Sequence, residues 1–359
     1  MAEFHILYAP GDGIGSEIVT QGRRVLDAIG ERFGHTFTAE HAVIGAEAVE
    51  EHGIELTDEV IDRARAADAI LLGACGIADG VPVKGRHPER AVLTLRQELQ
   101  LWANLRPMKV IDHLIDASPV KPEVLRGVDM LVLRELTGGT YFGEPRGPYE
   151  VDGQPAARDT MVYSEPEVRR VVTRAFELAA GRHQSVTSVD KANVLESSAL
   201  WRRVAEEVAA GFPDIKFESI LVDAFSMRLV QTPRDFDVVV TGNLFGDILS
   251  DEMAVLAASL GVLPSASLGD GRAGLYEPIH GAANDIAGRD IANPIATILS
   301  AALMLRHSFE LETEARTVED AVDAVLARGI RTPDIQEDGS HRVGTAGMGD
   351  AIIAEITTH

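Results

Sequence analysis

Asp247 and Asp251 stand one helical turn apart in Thr241-Gly-Asn-Leu-Phe-Gly-Asp-Ile-Leu-Ser-Asp251, directly after the apolar run Phe236-Asp-Val-Val-Val240. The run reads as a buried strand and Asn243 as the N-cap of the helix that follows, so both carboxylates project from one face of that helix. Like charges at i, i+4 destabilise an isolated helix by roughly a few tenths of a kcal/mol, and a cation between them removes that penalty. A carboxylate pair with open positions is how Mg²⁺ or Mn²⁺ is usually held. Acidic residues in a first turn also favour the helix dipole with no metal present. Asp223, at the end of Phe217–Val222, either caps its own helix or completes such a site as a third carboxylate.

Cations stand elsewhere in the chain: Arg96 in Leu93-Thr-Leu-Arg96, Arg106 in Ala103-Asn-Leu-Arg-Pro107, and Arg134 at the end of an apolar strand. A guanidinium at a strand end is expensive unless it meets an anion, and three planar forks converging on one pocket suit a dicarboxylate. Taken singly, each also reads as an ion-pair partner. Lys191, in Ser188-Val-Asp-Lys-Ala-Asn-Val194, directly follows a strand. Partly buried there it can lose its proton and serve as a base; in water it is a solvated strand-end lysine. The Gly/Ala-rich stretch Glu277–Gly288, continued by Ile291-Ala-Asn-Pro294, lets backbone approach a flat ligand. Its Asp285 can accept from a ribose diol and would repel a 2′-phosphate. Pro10-Gly-Asp-Gly-Ile-Gly15 imitates a dinucleotide fingerprint, but Ser16 stands where the third glycine is needed and Asp12 would face a pyrophosphate. It reads as a tight turn beside a pocket.

The elements that must hold these residues alternate. Strands are expected at Phe4–Tyr8, Ala69–Leu72, Val128–Leu133, Ser185–Val189, Phe217–Val222 and Asp237–Val240. Helices are expected at Gly15–Ile29, Arg90–Leu101, Glu165–Ala180, Ala199–Ala210 and Ile295–Leu305. Such alternation implies an α/β protein with parallel or mixed sheets covered by helices. Gly138–Asp159, rich in Gly, Pro and charge, is too long for a simple loop and reads as a functional excursion or an arm contacting a partner.

At 359 residues the chain has room for two domains. A net charge of −23 argues against nucleic-acid binding and against docking on anionic lipid. Five lysines stand against 28 arginines, a bias that salt adaptation and a GC-rich genome both produce. No apolar run resembles a signal peptide or a membrane span. The one cysteine, Cys75, excludes an internal disulfide framework, fits a reducing cytoplasm, and reads as a packed small residue.

Together these motifs resemble the β-decarboxylating hydroxyacid dehydrogenases, the family of isocitrate, isopropylmalate, homoisocitrate and tartrate/malate dehydrogenases. The likeness runs from Gly11-Asp-Gly-Ile-Gly15 to Val343-Gly-Thr-Ala-Gly-Met-Gly-Asp350. Arg134-Glu-Leu-Thr-Gly-Gly-Thr-Tyr-Phe-Gly-Glu144 and Val189-Asp-Lys-Ala-Asn-Val-Leu195 look like the isopropylmalate branch, whereas the isocitrate branch typically carries an Asn-Thr-Glu version of the first. The resemblance implies NAD-dependent oxidative decarboxylation of 3-isopropylmalate to 4-methyl-2-oxopentanoate in leucine biosynthesis. Arg96, Arg106 and Arg134 would grip the malate carboxylates, with Asn193 also at the substrate. Asp223, Asp247 and Asp251 would hold Mg²⁺ or Mn²⁺, Lys191 would help remove the hydroxyl proton, and Tyr141 would protonate the enol.

In this family Lys191 and Asp223 come from the partner subunit, so a homodimer with shared active sites is implied, and 138–159 would be its interlocking arm. The fold implied is two-domain and not a Rossmann fold, with residues 1–101 plus 258–359 forming a cofactor-binding domain and 102–257 a second domain. The active site would lie in the cleft. NAD would lie along Gly76–Glu89 and His280–Asn293, with Ile14, Gly281, Asp285 and Ile286 among its contacts. Asp285-Ile286 matches the NAD-type members, where NADP-type members typically carry Lys-Tyr. Val92 and Leu93, beside Ala91, would line an alkyl pocket. Val92 stands where leucine is common, and the loop Gly76–Lys84 lacks the usual Pro-Lys-Trp element. Two alternatives stay open: a dehydrogenase of another 3-substituted malate or of D-malate, and a non-catalytic regulatory subunit.

Overall fold

The computed structural model describes residues 2–77 and 80–358. Ala78 and Asp79, within the Gly76–Glu89 stretch expected along NAD, lie outside the described residues. The chain divides into two compact units: Met1–Leu101 with Val110–Pro122 and Ala254–His359, and Trp102–Lys109 with Glu123–Met253. Residues 110–122 therefore belong to the first unit, not the second as the family pattern had it. The Arg331 guanidinium donates to the His113 carbonyl at 2.6 Å and ties this segment to the body of that unit.

In chain order the strands that carry the units are β1 (Glu3–Gly11), β2 (Thr36–His41), β3 (Ala69–Ala74), β4 (Ala103–Lys109), β5 (Asp129–Glu135), β6 (Gly147–Val151), β7 (Gln154–Arg158), β8 (Ser185–Asp190), β9 (Lys216–Leu221), β10 (Val238–Thr241), β11 (Pro264–Leu268) and β12 (Gly274–Pro278). In the first unit the order is β2-β1-β3-β12-β11, with only β11 antiparallel to its neighbour. In the second the order is β4-β5-β10-β8-β9, with only β4 antiparallel. Each unit thus carries a mixed sheet whose parallel strands end on a common edge. An antiparallel member in each sheet separates this arrangement from the all-parallel dinucleotide fold.

Helices cover these sheets because their apolar residues recur at helical spacing. Glu165–Ala180 starts at a capping box, in which the Ser164 backbone N–H and hydroxyl donate to the Glu167 carboxylate, and buries Val168, Val172, Ala175 and Phe176. Ile295–His307 is apolar all round and is buried along most of its length in the first unit. Arg90–Glu98 ends three residues before the expected Leu101, since Gln100 adopts φ +53°, which stops a right-handed helix. The excursion 138–159 carries the antiparallel hairpin β6–β7, closed by Asp152-Gly153 with φ +51° and +73°. Both values suit the tight turn that matches strand twist. Among the described residues no helix is long and apolar enough to cross a membrane.

Candidate functional site

Several chemistry-bearing residues of the second unit follow from the edge on which its parallel strands end. The parallel register pairs Thr241 with Arg134 and with Val189, and Asp190 with Leu221. Arg134, Lys191, Asp223 and Asn243 therefore emerge at the carboxyl edge of one sheet, the edge at which open α/β sheets bind ligands. Antiparallel β4 sets Asn104 opposite Arg134, and Arg106, two residues on, shares the face of Asn104.

Asp247 is the hub. It ion-pairs with Arg134, lies 3.7 Å from Arg106, and accepts from the Tyr141 hydroxyl at 2.5 Å. Arg134 and Arg106 are 2% and 5% exposed, so each guanidinium must have its N–H groups satisfied. Asn104 Oδ1 accepts from Arg106 Nε at 2.6 Å, and the Ser250 hydroxyl accepts from its Nη1. Arg134 also stacks 5.5 Å from the Tyr141 ring centre. The Tyr141 phenol is pushed up to about 12, by desolvation first and then by its bond to Asp247, so it stays protonated at neutral pH and can donate.

Asp251 lies on the same face of the helix Asn243–Leu256. Its carboxyl is held above the usual carboxylate range, by desolvation first and in part by the charge of Asp247, with Arg106 and Arg134 opposing. That like-charge stress is what a divalent cation relieves, and the oxygen donors suit Mg²⁺ or Mn²⁺. Lys191 and Asp223 form a separate pair at 2.6 Å, and the Lys191 bond holds Asp223 below the usual range. Among the described residues no three acidic, His or Cys side chains of one chain gather into a metal-holding group.

Two capping expectations are corrected. Asn243 is the first residue of its helix, and its side chain meets Arg134 and the Leu136 and Gly138 carbonyls instead of capping the first turn. Asp223 sits inside the first turn of Val222–Gln231, where Leu221 holds the N-cap position, and its carboxylate is bound by Lys191. Asp190 does not steer Lys191 either. It is buried in a bidentate pair with Arg202, at 2.8 and 2.9 Å, and accepts from the Ala192 N–H. Asn193 is exposed on the same loop. Asn104, Ser250 and Tyr163 escaped the sequence reading. The Asn-x-Arg spacing on β4 is a signal for Asn104, and the glycines at 138, 139 and 242, each packed against the Tyr163 ring, are one for Tyr163; Ser250 leaves no such signal in the sequence.

In the first unit the edge formed by β1, β3 and β12 gathers a second group. Asp12 is 8% exposed and accepts from the backbone N–H of Ala46 and of Gly76, both at 2.8 Å. Burial, the largest effect, raises its pKa against those bonds. Ile14 donates to the Ala282 carbonyl at 2.9 Å and packs with Ile18, Ala292 and Ile286. Gly13, at φ +57°, has no room for a side chain, since a methyl group there would sit 2.0 Å from the Ala282 oxygen. The Asn284 amide donates to the Gly76 carbonyl at 3.1 Å, and the Glu89 carboxylate lies close against Gly76. His280 Nε2 is buried with no hydrogen-bond partner, and burial lowers the pKa of the ring. Such a glycine-lined cradle with one orphaned donor or acceptor fits a flat, polar cofactor.

Gly281 and Asp285 are exposed. Asn293 is 5% exposed, accepts from the Ile295 N–H and donates to Asp334. Arg96 is buried and bound to Glu277 at 2.6 Å, and its Nε has no partner. Ala91 is fully buried, whereas Val92 and Leu93 are both partly exposed, Val92 packing in part on the same core. Burial raises the pKa of the Cys75 thiol, as expected of a packed residue.

Residues 5–352 match the family model for isocitrate/isopropylmalate dehydrogenase. The 3-isopropylmalate dehydrogenase of Aquifex aeolicus is 51% identical over 99% of this chain and 98% of its own length. That of Rhodopirellula baltica is 53% identical over 98% and 99%. Among solved structures, isocitrate dehydrogenase from Methylococcus capsulatus superposes with a TM-score of 0.88 at 35% identity, covering 99% of this chain and 100% of its own. A β-decarboxylating dehydrogenase from Thermococcus kodakarensis gives a TM-score of 0.78 at 34% identity, covering 98% and 96%.

Proposed function

Because the chain belongs to the isocitrate/isopropylmalate dehydrogenase family, we propose that it oxidises and decarboxylates 3-isopropylmalate to 4-methyl-2-oxopentanoate and CO₂, with NAD⁺ as oxidant, in leucine biosynthesis in the cytoplasm. One observation carries the reading. Two buried guanidinium groups and a protonated phenol surround Asp247, with a second carboxylate one turn further on. A regulatory subunit without catalysis has no use for that set, and the relatives at about half identity bear the name of the 3-isopropylmalate enzyme.

Held by Asp247, Asp251 and the partner copy's Asp223, a divalent cation would supply charge stabilisation at the substrate hydroxyl and during CO₂ loss, and a bound NAD⁺ would supply the hydride acceptor. The residues of this chain do the rest. Arg96, Arg106 and Arg134 grip carboxylates through planar forks. Lys191 accepts the hydroxyl proton. Tyr141, protonated at neutral pH, hands its proton to the enol carbon. Val92 and Leu93 desolvate the isopropyl group. Exposed Met227 and Val230, with Ile248 on the helix of the acid pair, suit a homodimer contact that brings Lys191 and Asp223 to the other copy's site.

The test is NADH formation by the purified chain with Mn²⁺ across 3-isopropylmalate, D-malate and isocitrate. The expected order of kcat/KM puts 3-isopropylmalate first, and a preference for isocitrate or D-malate overturns the assignment. Asp285 predicts discrimination against NADP⁺, because its carboxylate would face the 2′-phosphate. At a few ångströms and an effective dielectric near 20 the repulsion is on the order of several kcal/mol before screening. Comparable kcat/KM with both cofactors contradicts that role.

A further inference from the structure

Asn243 makes four hydrogen bonds through its side-chain amide. Its Oδ1 accepts from Arg134 Nε at 3.0 Å and from Nη2 at 2.7 Å, so one face of the guanidinium is held at two points. Its Nδ2 donates to the carbonyls of Leu136 at 3.1 Å and Gly138 at 3.2 Å, on the turn that leads from β5 to Tyr141. The residue is 1% exposed. Its backbone N–H donates to the Tyr163 hydroxyl at 2.7 Å. Tyr163 is wedged where methyl groups at Gly138, Gly139 or Gly242 would come within 2.6 to 2.9 Å of it, and it meets Trp201 edge-on at 5.4 Å. With Nε and Nη2 anchored, the plane of Arg134 is fixed and its Nη1 is delivered to Asp247.

We infer that Asn243 is a positioning residue for substrate binding, acting through Arg134, and that only an amide does this work. Resting on the reading of Arg134 as a carboxylate grip, the inference adds the group that aims it. An aspartate at 243 keeps the shape and the acceptor, but places its second oxygen against two carbonyl oxygens and neutralises Arg134. A serine is too short to span from the guanidinium to the 136–138 turn. The amide accepts from the cation without cancelling its charge and ties Arg134 to the backbone of the Tyr141 turn. Tyr163 in turn fixes the backbone of Asn243, which explains why three glycines crowd one phenol ring.

Asn243→Asp and Asn243→Ser should each raise KM for 3-isopropylmalate by about 10- to 100-fold while KM for NAD⁺ changes by less than about threefold, since one aimed, charge-assisted contact is lost. In an Arg134→Lys background the same Asn243→Ser change should cost less than about threefold, because lysine has no fork to aim. Additive losses, or equal rises in both KM values, overturn the inference. A crystal structure of Asn243→Ser gives a reading independent of turnover. Arg134 rotated away from Asp247 supports the inference, and an unmoved Arg134 sinks it. If the unmodified enzyme forms no NADH from 3-isopropylmalate, the substrate reading fails by itself, and the Arg134 geometry in the variant still decides the positioning claim.

Discussion

Two of the strand-to-helix junctions in this molecule, those after β1 and after β10, use aspartates in opposite ways. After β1, Asp12 in Gly11-Asp-Gly-Ile-Gly15 turns inward and is held by the backbone N–H groups of Ala46 and Gly76. After β10, Asp247 lies beyond Asn243 with its side chain 38% exposed, and its partners are Arg134, Arg106 and the Tyr141 hydroxyl. A carboxylate satisfied by backbone braces loops. A carboxylate satisfied by cations and a phenol, and still reachable by solvent, is available to a ligand that displaces them. Residue type and proximity to a helix start are alike in the two places; the partners differ.

Substitutions should therefore separate chemistry from stability at the two junctions. The largest expected effect is at the second. Asp251→Asn keeps the helix and removes one ligand charge, so kcat should fall by at least about two orders of magnitude. Tm without metal should hold or rise slightly as repulsion by Asp247 is relieved. A large Tm loss with retained kcat would place Asp251 with Asp12 as a brace. Next in size, Leu93→Ser should lower kcat/KM for 3-isopropylmalate by about 10- to 100-fold and for D-malate much less. Equal losses on both substrates remove Leu93 from specificity.

The first junction should show the inverse pattern. Asp12→Ala leaves the Gly76 and Ala46 N–H groups without their acceptor, at about 1–3 kcal/mol for each buried group. Chemical denaturation should report a loss of that order, with kcat of the folded enzyme changed by less than about tenfold. Unchanged stability would mean that the brace carries nothing. The smallest effect concerns pH. Burial holds the folded-state pKa of Asp12 above that of the unfolded chain. Its contribution is therefore fully present below the ordinary Asp range near pH 4 and is lost as pH rises through the folded value. The Tm difference between the unmodified protein and Asp12→Ala should narrow from about pH 4 to pH 7. A gap that widens over that range reverses the sign of the assignment.

Much of the frame was legible because apolar periodicity reports burial directly. Glu165–Ala180 ran to the expected bounds, and the paired acids fell on one helix as their spacing required. What stayed hidden was what each polar side chain touches. Asn243 and Asn293 are the same residue type at helix starts, yet one clamps a guanidinium and the other accepts from the Ile295 N–H at the start of its helix and donates to Asp334. Spacing along the chain cannot distinguish them, because Arg134 and Asp334 reach them only through the tertiary fold. Val92 and Leu93 follow each other on one helix and are both partly exposed, yet Val92 also packs on the core, a contact that position along the helix does not reveal. The outward-facing apolar residues Met227, Val230 and Ile248 obey no burial rule within one chain.

The proposed sharing of sites between two copies turns on Lys191 and Asp223, which pair with each other within one chain and do not gather with Asp247 and Asp251 into a metal-holding group among the described residues. Inactive Lys191→Ala and inactive Asp251→Asn chains, unfolded together, refolded and assayed for NADH formation, test it directly. If Lys191 serves the partner's site, each mixed dimer contains one intact site and one doubly damaged site, and activity returns toward a quarter of the unmodified level for a statistical mixture, on the order of half the molecules carrying one working site of two. No recovery, with mixed dimers shown to form, would mean that both residues act within one chain.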